Sequence, residues 1–394
     1  MSNIFRLLFL FVVCVPAQAA PAIIPAPPQL AATAYLLLDA KTGKVLVEQN
    51  SEQRLPPASL TKIMTSYVAA KELALGTISL DDEIEVSVRA WRMEGSRMFI
   101  LEGTKVRLED LIRGIIIQSG NDASVAVAEH ISGSEDVFAD VMNQYAFQLG
   151  MTATNYVNSS GLPDENHFTT ANDLARLSVA LISEFPEHYA IYKERTFTYG
   201  APGEEPKRQF NRNSLLFRDS TVDGIKTGHT DAAGYCLVAS SVRGDMRLIS
   251  VVLGASSEEA RARESQKLLT YGFRYFETAQ LYRAGEKLKQ ARVWGGQHSS
   301  IQLGLRDDLF LTIPRGSRQG LKASINLDNE IYAPITEGDE LGTLVVSMAD
   351  GEEIILPLEG LNSVQESGLF GRVIDSVLLF FLKLSGGDPL EFES

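Results

Sequence analysis

Residues 221–253 hold the feature that most restricts the fold. Three strand-like apolar runs, 225–229, 234–242 and 246–253, follow one another with only short connections. The last two are joined by the turn Arg243-Gly244-Asp245. A turn of that length makes an antiparallel pair, because a parallel pair needs a crossover of about a dozen residues or more. A second hairpin lies near the start, with strands at 34–39 and 44–48 around Lys41-Thr42-Gly43, and Pro56-Pro57 ends it.

Elsewhere the apolar period is that of helices. From Ser59 to about Leu75, the residues Ile63, Met64, Tyr67, Val68 and Leu73 recur at helical spacing, which puts Ser59 at or near a helix N-terminus. Further helices are predicted over 106–117, 122–131 and 173–183, the last capped by Asn172 or Thr170, and an amphipathic one over 256–273. Helices packed on an antiparallel sheet give an α+β architecture rather than a βαβ repeat.

Past about Tyr282 short alternating segments take over, clearest at 301–305, 309–313, 324–327, 342–347 and 353–358. They predict a small all-β domain without a cluster of reactive side chains. The tail, 369–384, is helical in period. Arg372, Asp375, Ser376 and Lys383 fall on one side, and Leu369, Phe370, Val373, Ile374, Val377, Leu378, Phe380, Phe381 and Leu384 cover most of the rest. It is shorter than the ~20 apolar residues of a membrane span, yet it suits a helix lying in a membrane interface. A core or oligomer helix is the other reading of the same pattern. At the opposite end, Arg6, an apolar run over 7–15, Pro16 and Ala17-Gln18-Ala19 have the order of a secretory signal peptide. The predicted organisation is a signal peptide at 1–19, a catalytic α+β domain at 20–281, a β-rich domain at 282–364 and an amphipathic tail at 365–394.

The 394 residues carry a net charge of −14, so the chain is repelled by nucleic acid and by anionic surfaces. Of its two cysteines, Cys14 lies in the leader. Cys236 is therefore left without an intramolecular partner and reads as a packing residue.

Three short motifs in order carry the chemistry: Ser59-Leu60-Thr61-Lys62, Ser119-Gly120-Asn121 and Lys226-Thr227-Gly228. Each is weak alone, and Lys-Thr-Gly occurs again at Lys41 in the first hairpin turn. Their order and context make the case. Ser59 and Lys62, three apart on a helix, face the same way. A serine hydroxyl needs a base, and a lysine serves only if burial or a second cation lowers its pKa; Lys226 is the expected second cation. Ser119 can relay a proton to a leaving amine, and Asn121 can hold a peptide carbonyl or orient Lys62. Lys226 and Thr227 suit a substrate carboxylate, with Gly228 and His229 beside them. Backbone donors at Ser59 and near His229 would stabilise an oxyanion.

This set resembles the penicillin-binding proteins and serine β-lactamases. Together with Asp223-Gly224-Ile225-Lys226-Thr227-Gly228-His229-Thr230 and Ile313-Pro314-Arg315-Gly316, it is similar above all to the low-molecular-mass serine D-alanyl-D-alanine carboxypeptidases. That resemblance implies cleavage of the terminal D-Ala from peptidoglycan stem pentapeptides through an acyl-enzyme on Ser59, acylation of that serine by β-lactams, and no metal or organic cofactor. The five histidines (130, 167, 188, 229 and 298) show no ligand spacing, and only His229 adjoins a motif. Class A β-lactamases are similar in Ser59, Lys62 and Lys226 but deacylate through a glutamate loop that 161–168 does not match. A D,D-endopeptidase remains the other hydrolase reading.

Overall fold

The computed structural model describes residues 24–328, 330–348 and 351–391. The leader read at 1–19 lies outside them. The described chain forms two compact units, Pro25–Ala279 with Phe310–Thr312, and Gln280–Leu309 with the remainder to the C-terminus.

The first unit is built on a five-stranded antiparallel sheet of β1 (Ala34–Asp39), β2 (Val45–Gln49), β3 (Val222–Thr230), β4 (Gly234–Arg243) and β5 (Met246–Ala255). Its spatial order is β2-β1-β5-β4-β3, so the first hairpin and the three late strands become one sheet. Successive side chains on a strand point to opposite faces, and here both faces are covered. Leu36, Leu38, Val238, Val251 and Leu253 enter a core shared with most of the helices. Tyr35, Leu37, Leu237, Leu248 and Val252 enter a second core closed by the helix Glu258–Tyr275. The residues of β1 are all buried, which explains its continuous Ala-Tyr-Leu-Leu-Leu run.

Two predicted helices differ in detail. The helix that begins at Ser59 is preceded by a 3-10 turn, Ala58–Thr61, and only then continues as α1 (Lys62–Leu75). The helix read over 106–117 opens as the short strand Lys105–Arg107, becomes helical at Leu108–Arg113 and widens into a π-turn at Gly114–Gln118. Periodicity does not distinguish a π-turn from the α-helix it interrupts. The third helix is α2 (Asn121–Ser132). The helix Ala171–Glu184 is capped by the Thr170 hydroxyl, which accepts from Asp173 N.

In the second unit, Lys289–Arg292, Ser300–Gly304, Lys322–Leu327, Glu340–Ser347 and Glu353–Gly360 make a second five-stranded sheet, with Leu303, Leu344, Val346 and Leu358 fully buried. The tail forms the helix Leu369–Ser385.

Candidate active site

The site grows out of the 3-10 turn. Ala58 has a left-handed backbone (φ +47°), unusual for a residue with a Cβ, and Ser59 and Lys62 follow within one turn. Lys62 Nζ lies 3.1 Å from Ser59 Oγ, 2.7 Å from Asn121 Oδ1 and 2.5 Å from the Ser160 carbonyl. The Lys62 side chain is fully buried. Burial first, and then the Arg212 guanidinium, pull its pKa down to about 7, against the attraction of the Asp122 and Glu135 carboxylates.

Asn121 reaches Lys62 because of where α2 starts. The π-turn ends at Ser119, whose φ of +67° reverses the chain, and Asn121 opens the helix. Asn121 Nδ2 donates to Glu94 O at 2.6 Å, which fixes the amide so that its oxygen faces Lys62. Asp122 accepts from the backbone N–H groups of Met98 and Phe99 at 3.0 and 2.8 Å and so holds the 94–100 loop beside the motif. Ser119 Oγ is buried and has no hydrogen-bond partner among the described residues. An unpaired buried hydroxyl is costly, and such groups concentrate at functional sites.

The third motif lies on β3. A Cβ built on Gly228 would meet Pro57 O at 3.0 Å and Ala58 Cβ at 3.3 Å, so glycine lets the strand approach the Ser59 turn this closely without the turn giving way. Lys226 and Thr227 are buried. The Lys226 pKa is held well below the usual lysine range by burial, then by Lys62, Arg212 and Arg261. His229 is exposed and stacks on Tyr235, with ring centroids 3.9 Å apart.

One expectation changes. Lys226 is expected as the cation against Lys62; Arg212 joins it, lowering both lysines, while burial and Lys62 drive Lys226 itself toward its neutral form. Arg212 stands between two asparagines in Asn211-Arg212-Asn213, and no motif marks it. Equally unmarked are Ser160, whose contribution is a carbonyl that any residue type could supply, and His167, which hydrogen-bonds Thr61. Among the described residues, no group of three or more His, Cys, Asp or Glu is gathered as a metal ion would require.

Comparison with known proteins matches this architecture along the chain. The family model described as D-alanyl-D-alanine carboxypeptidase matches residues 21–257, and that of the penicillin-binding protein 5 C-terminal domain matches 276–366. The D-alanyl-D-alanine carboxypeptidase DacC of Escherichia coli K12 is 44% identical over 381 residues, 95% of this chain and 94% of that protein. The crystal structure of penicillin binding protein 5 from Haemophilus influenzae is 42% identical and superposes with a TM-score of 0.81, covering 87% of this chain and all of that one. Penicillin-binding protein D2 from Listeria monocytogenes, solved in its ampicillin-bound form, is 30% identical with a TM-score of 0.57, covering 63% of this chain and all of that one.

Proposed function

The chain belongs to the D-alanyl-D-alanine carboxypeptidase family, and we propose that its reaction runs through an ester on Ser59 with Lys62 as the base. It is a serine peptidase of the penicillin-binding type, acting on peptidoglycan peptides that end in D-Ala-D-Ala.

One observation carries the mechanism. Lys62 Nζ has three neighbours, and two of them, Asn121 Oδ1 and Ser160 O, can only accept hydrogen bonds. In the neutral amine the two N–H bonds go to those acceptors. The lone pair is then aimed at the third neighbour, Ser59 Oγ, 3.1 Å away. With its pKa near 7, a large share of Lys62 is neutral at physiological pH. Lys62 takes the Ser59 proton as Oγ bonds to the penultimate carbonyl carbon. The C–N bond then breaks, D-Ala leaves with a proton relayed through Ser119, and water hydrolyses the ester. Backbone N–H groups of Ser59 and His229 serve the oxyanion.

The leaving residue carries a free carboxylate. Lys226, Thr227 and His229 on β3, with exposed Arg212, form the wall that receives it, while Gly228 keeps the wall close to Ser59. A bound carboxylate would favour the charged form of Lys226, so substrate binding and its protonation are coupled. A β-lactam, which also pairs a reactive carbonyl with a carboxylate, acylates the same serine. No step needs a metal or organic cofactor.

The tail helix attaches the enzyme to a membrane surface. Its polar side is taken up within the second unit: Asp375 accepts from Gly295 N at 2.8 Å and pairs with Arg292, and Lys383 pairs with Glu330. The apolar side is left to solvent, with Phe370 86% and Leu384 74% exposed. No described helix is long and apolar enough to cross a membrane. With the leader at 1–19, this supports an exported, periplasmic enzyme lying on the outer face of the cytoplasmic membrane.

Incubation of the purified protein with a diacyl-L-Lys-D-Ala-D-Ala peptide should release one D-Ala per peptide. Ser59→Ala should abolish both release and covalent penicillin labelling. Labelling that persists at another serine would overturn the assignment.

A further inference from the structure

His167 is buried, and the sequence gives it no part in the reaction, yet its ring is joined to the turn that carries Ser59. Val157 N–H donates to Nδ1 at 3.2 Å, so Nδ1 bears the lone pair and the ring proton is on Nε2. Nε2–H donates to Thr61 Oγ1 at 2.8 Å, and the Thr61 hydroxyl donates to the Ala58 carbonyl at 2.9 Å. The chain of bonds therefore has one direction, and it ends on the left-handed residue that precedes the nucleophile. A non-glycine residue in that region costs on the order of 1–2 kcal/mol, and a held carbonyl is what keeps it there.

The segment that His167 terminates also supplies the Ser160 carbonyl on Lys62. Its backbone reaches the turn so closely that a Cβ on Gly161 would lie 1.8 Å from Ala58 O. At its other end Ser159 N and Oγ donate to buried Glu135, at 3.0 and 2.7 Å, and Ser159 O accepts from Thr65. The segment is thus pinned at Ser159 and at His167, and the atom that orients the base lies between the pins.

We propose that His167, acting through Thr61, is a positioning residue that sets the Ser59 turn and the Ser160 carbonyl against each other, so that the lone pair of Lys62 points at Ser59 Oγ. It touches neither substrate nor the reacting atoms. The geometry requires a neutral ring, because an imidazolium has no acceptor for Val157 N–H. Burial favours that form, and the ring pKa falls to about 4. The charged groups that bear on it are Asp164 of its own segment, which opposes this, and Lys62 of α1, which assists it. Arg54 and Glu165 line the same surface cavity.

The proposal rests on Ser59 as nucleophile, and the test separates the two. The second-order rate of acylation by a fluorescent penicillin is measured against pH for His167→Ala, His167→Gln, Thr61→Val and the Thr61→Val/His167→Ala pair, with melting temperatures alongside. His167→Ala and Thr61→Val should each lower the rate tenfold or more in folded protein, and the acidic limb of the profile should move. The double variant should be no worse than either single one. His167→Gln, whose amide N–H can still reach Thr61, should recover part of the loss. Folded His167→Ala or Thr61→Val with the wild-type rate and profile, or losses that simply multiply in the pair, would overturn it. If His167→Ala does not fold, Thr61→Val and His167→Gln decide the same question. Failure of the Ser59 assignment would look different, as labelling that survives Ser59→Ala.

Discussion

Asn121 Oδ1 sits 2.7 Å from Lys62 Nζ, the two residues being 59 positions apart in the chain. The amide is uncharged, so it orients the amine and favours its protonated form much less than a charged group would. A carboxylate in the same place would orient it equally and add a full opposite charge.

Asn121→Asp therefore tests the state of the base with almost no change in shape. The new negative charge should raise the Lys62 pKa from about 7. The acidic limb of the pH–rate profile for penicillin acylation should move up by a unit or more, and the rate at pH 7 should fall about fivefold or more. At pH 9 and above much of the rate should return. A profile that keeps its acidic limb near 7 would mean that Lys62 is not the titrating base.

Arg212→Ala works in the same direction for a different reason. It removes a positive charge that lowers both Lys62 and Lys226. Arg212 is exposed and its effect is screened, so the limb should move up by less than in Asn121→Asp, and less again in high salt. If Arg212 also meets the substrate carboxylate, KM for the D-Ala-D-Ala peptide should rise, with the rate constant for chemistry nearly unchanged above pH 9. An unaltered KM would remove Arg212 from the carboxylate wall.

Acid stability should depend on two buried histidines. His167 and His188 are both held neutral by burial, with pKa values near 4 against 6.5 for the free side chain. Between pH 6.5 and 4 the unfolded chain binds these protons and the native one does not. Each ring thus contributes stability above pH 6.5 that is lost as the pH falls toward 4. His188, whose Nε2 lies 2.7 Å from Ser66 Oγ, is the cleaner site to alter, since it stands apart from the Ser59 turn. In denaturant titrations from pH 7 to 4.5, His188→Gln should flatten the fall in stability by up to one proton's worth. A slope equal to that of wild type would show that His188 is already protonated in the native protein.

How much of this was legible in the sequence follows from what each element depends on. β3, β4 and β5 were readable because their apolar runs and short turns are local signals. That β1 would pair with β5, as in Leu36↔Val251, was not, because register between distant strands is set by packing. Ser59, Lys62, Asn121 and Lys226 were found because their side chains carry the chemistry. Ser160 was not, since its backbone oxygen does the work. Arg212 acts through its position beside two buried lysines and His167 through burial and position, and no spacing encodes either. The π-turn before Ser119 reads as plain helix in the sequence, because five residues, Gly114–Gln118, are too few to show a change of period.

The tail helix separates docking from membrane attachment. Asp375 holds its polar side, and loss of its bonds to Gly295 N and Arg292 should weaken docking by about 1–3 kcal/mol. Asp375→Ala should therefore raise hydrogen exchange across Leu369–Ser385 in the absence of lipid. The apolar side is untouched by that change, so co-sedimentation with phospholipid vesicles should persist. It should also survive high salt, because a chain of net charge −14 gains nothing from anionic lipid and must bind through apolar burial. Phe370→Asp with Phe381→Asp should abolish vesicle binding and leave D-Ala release intact. Binding that survives the double aspartate, or that disappears at high salt, would place the membrane contact somewhere other than this helix.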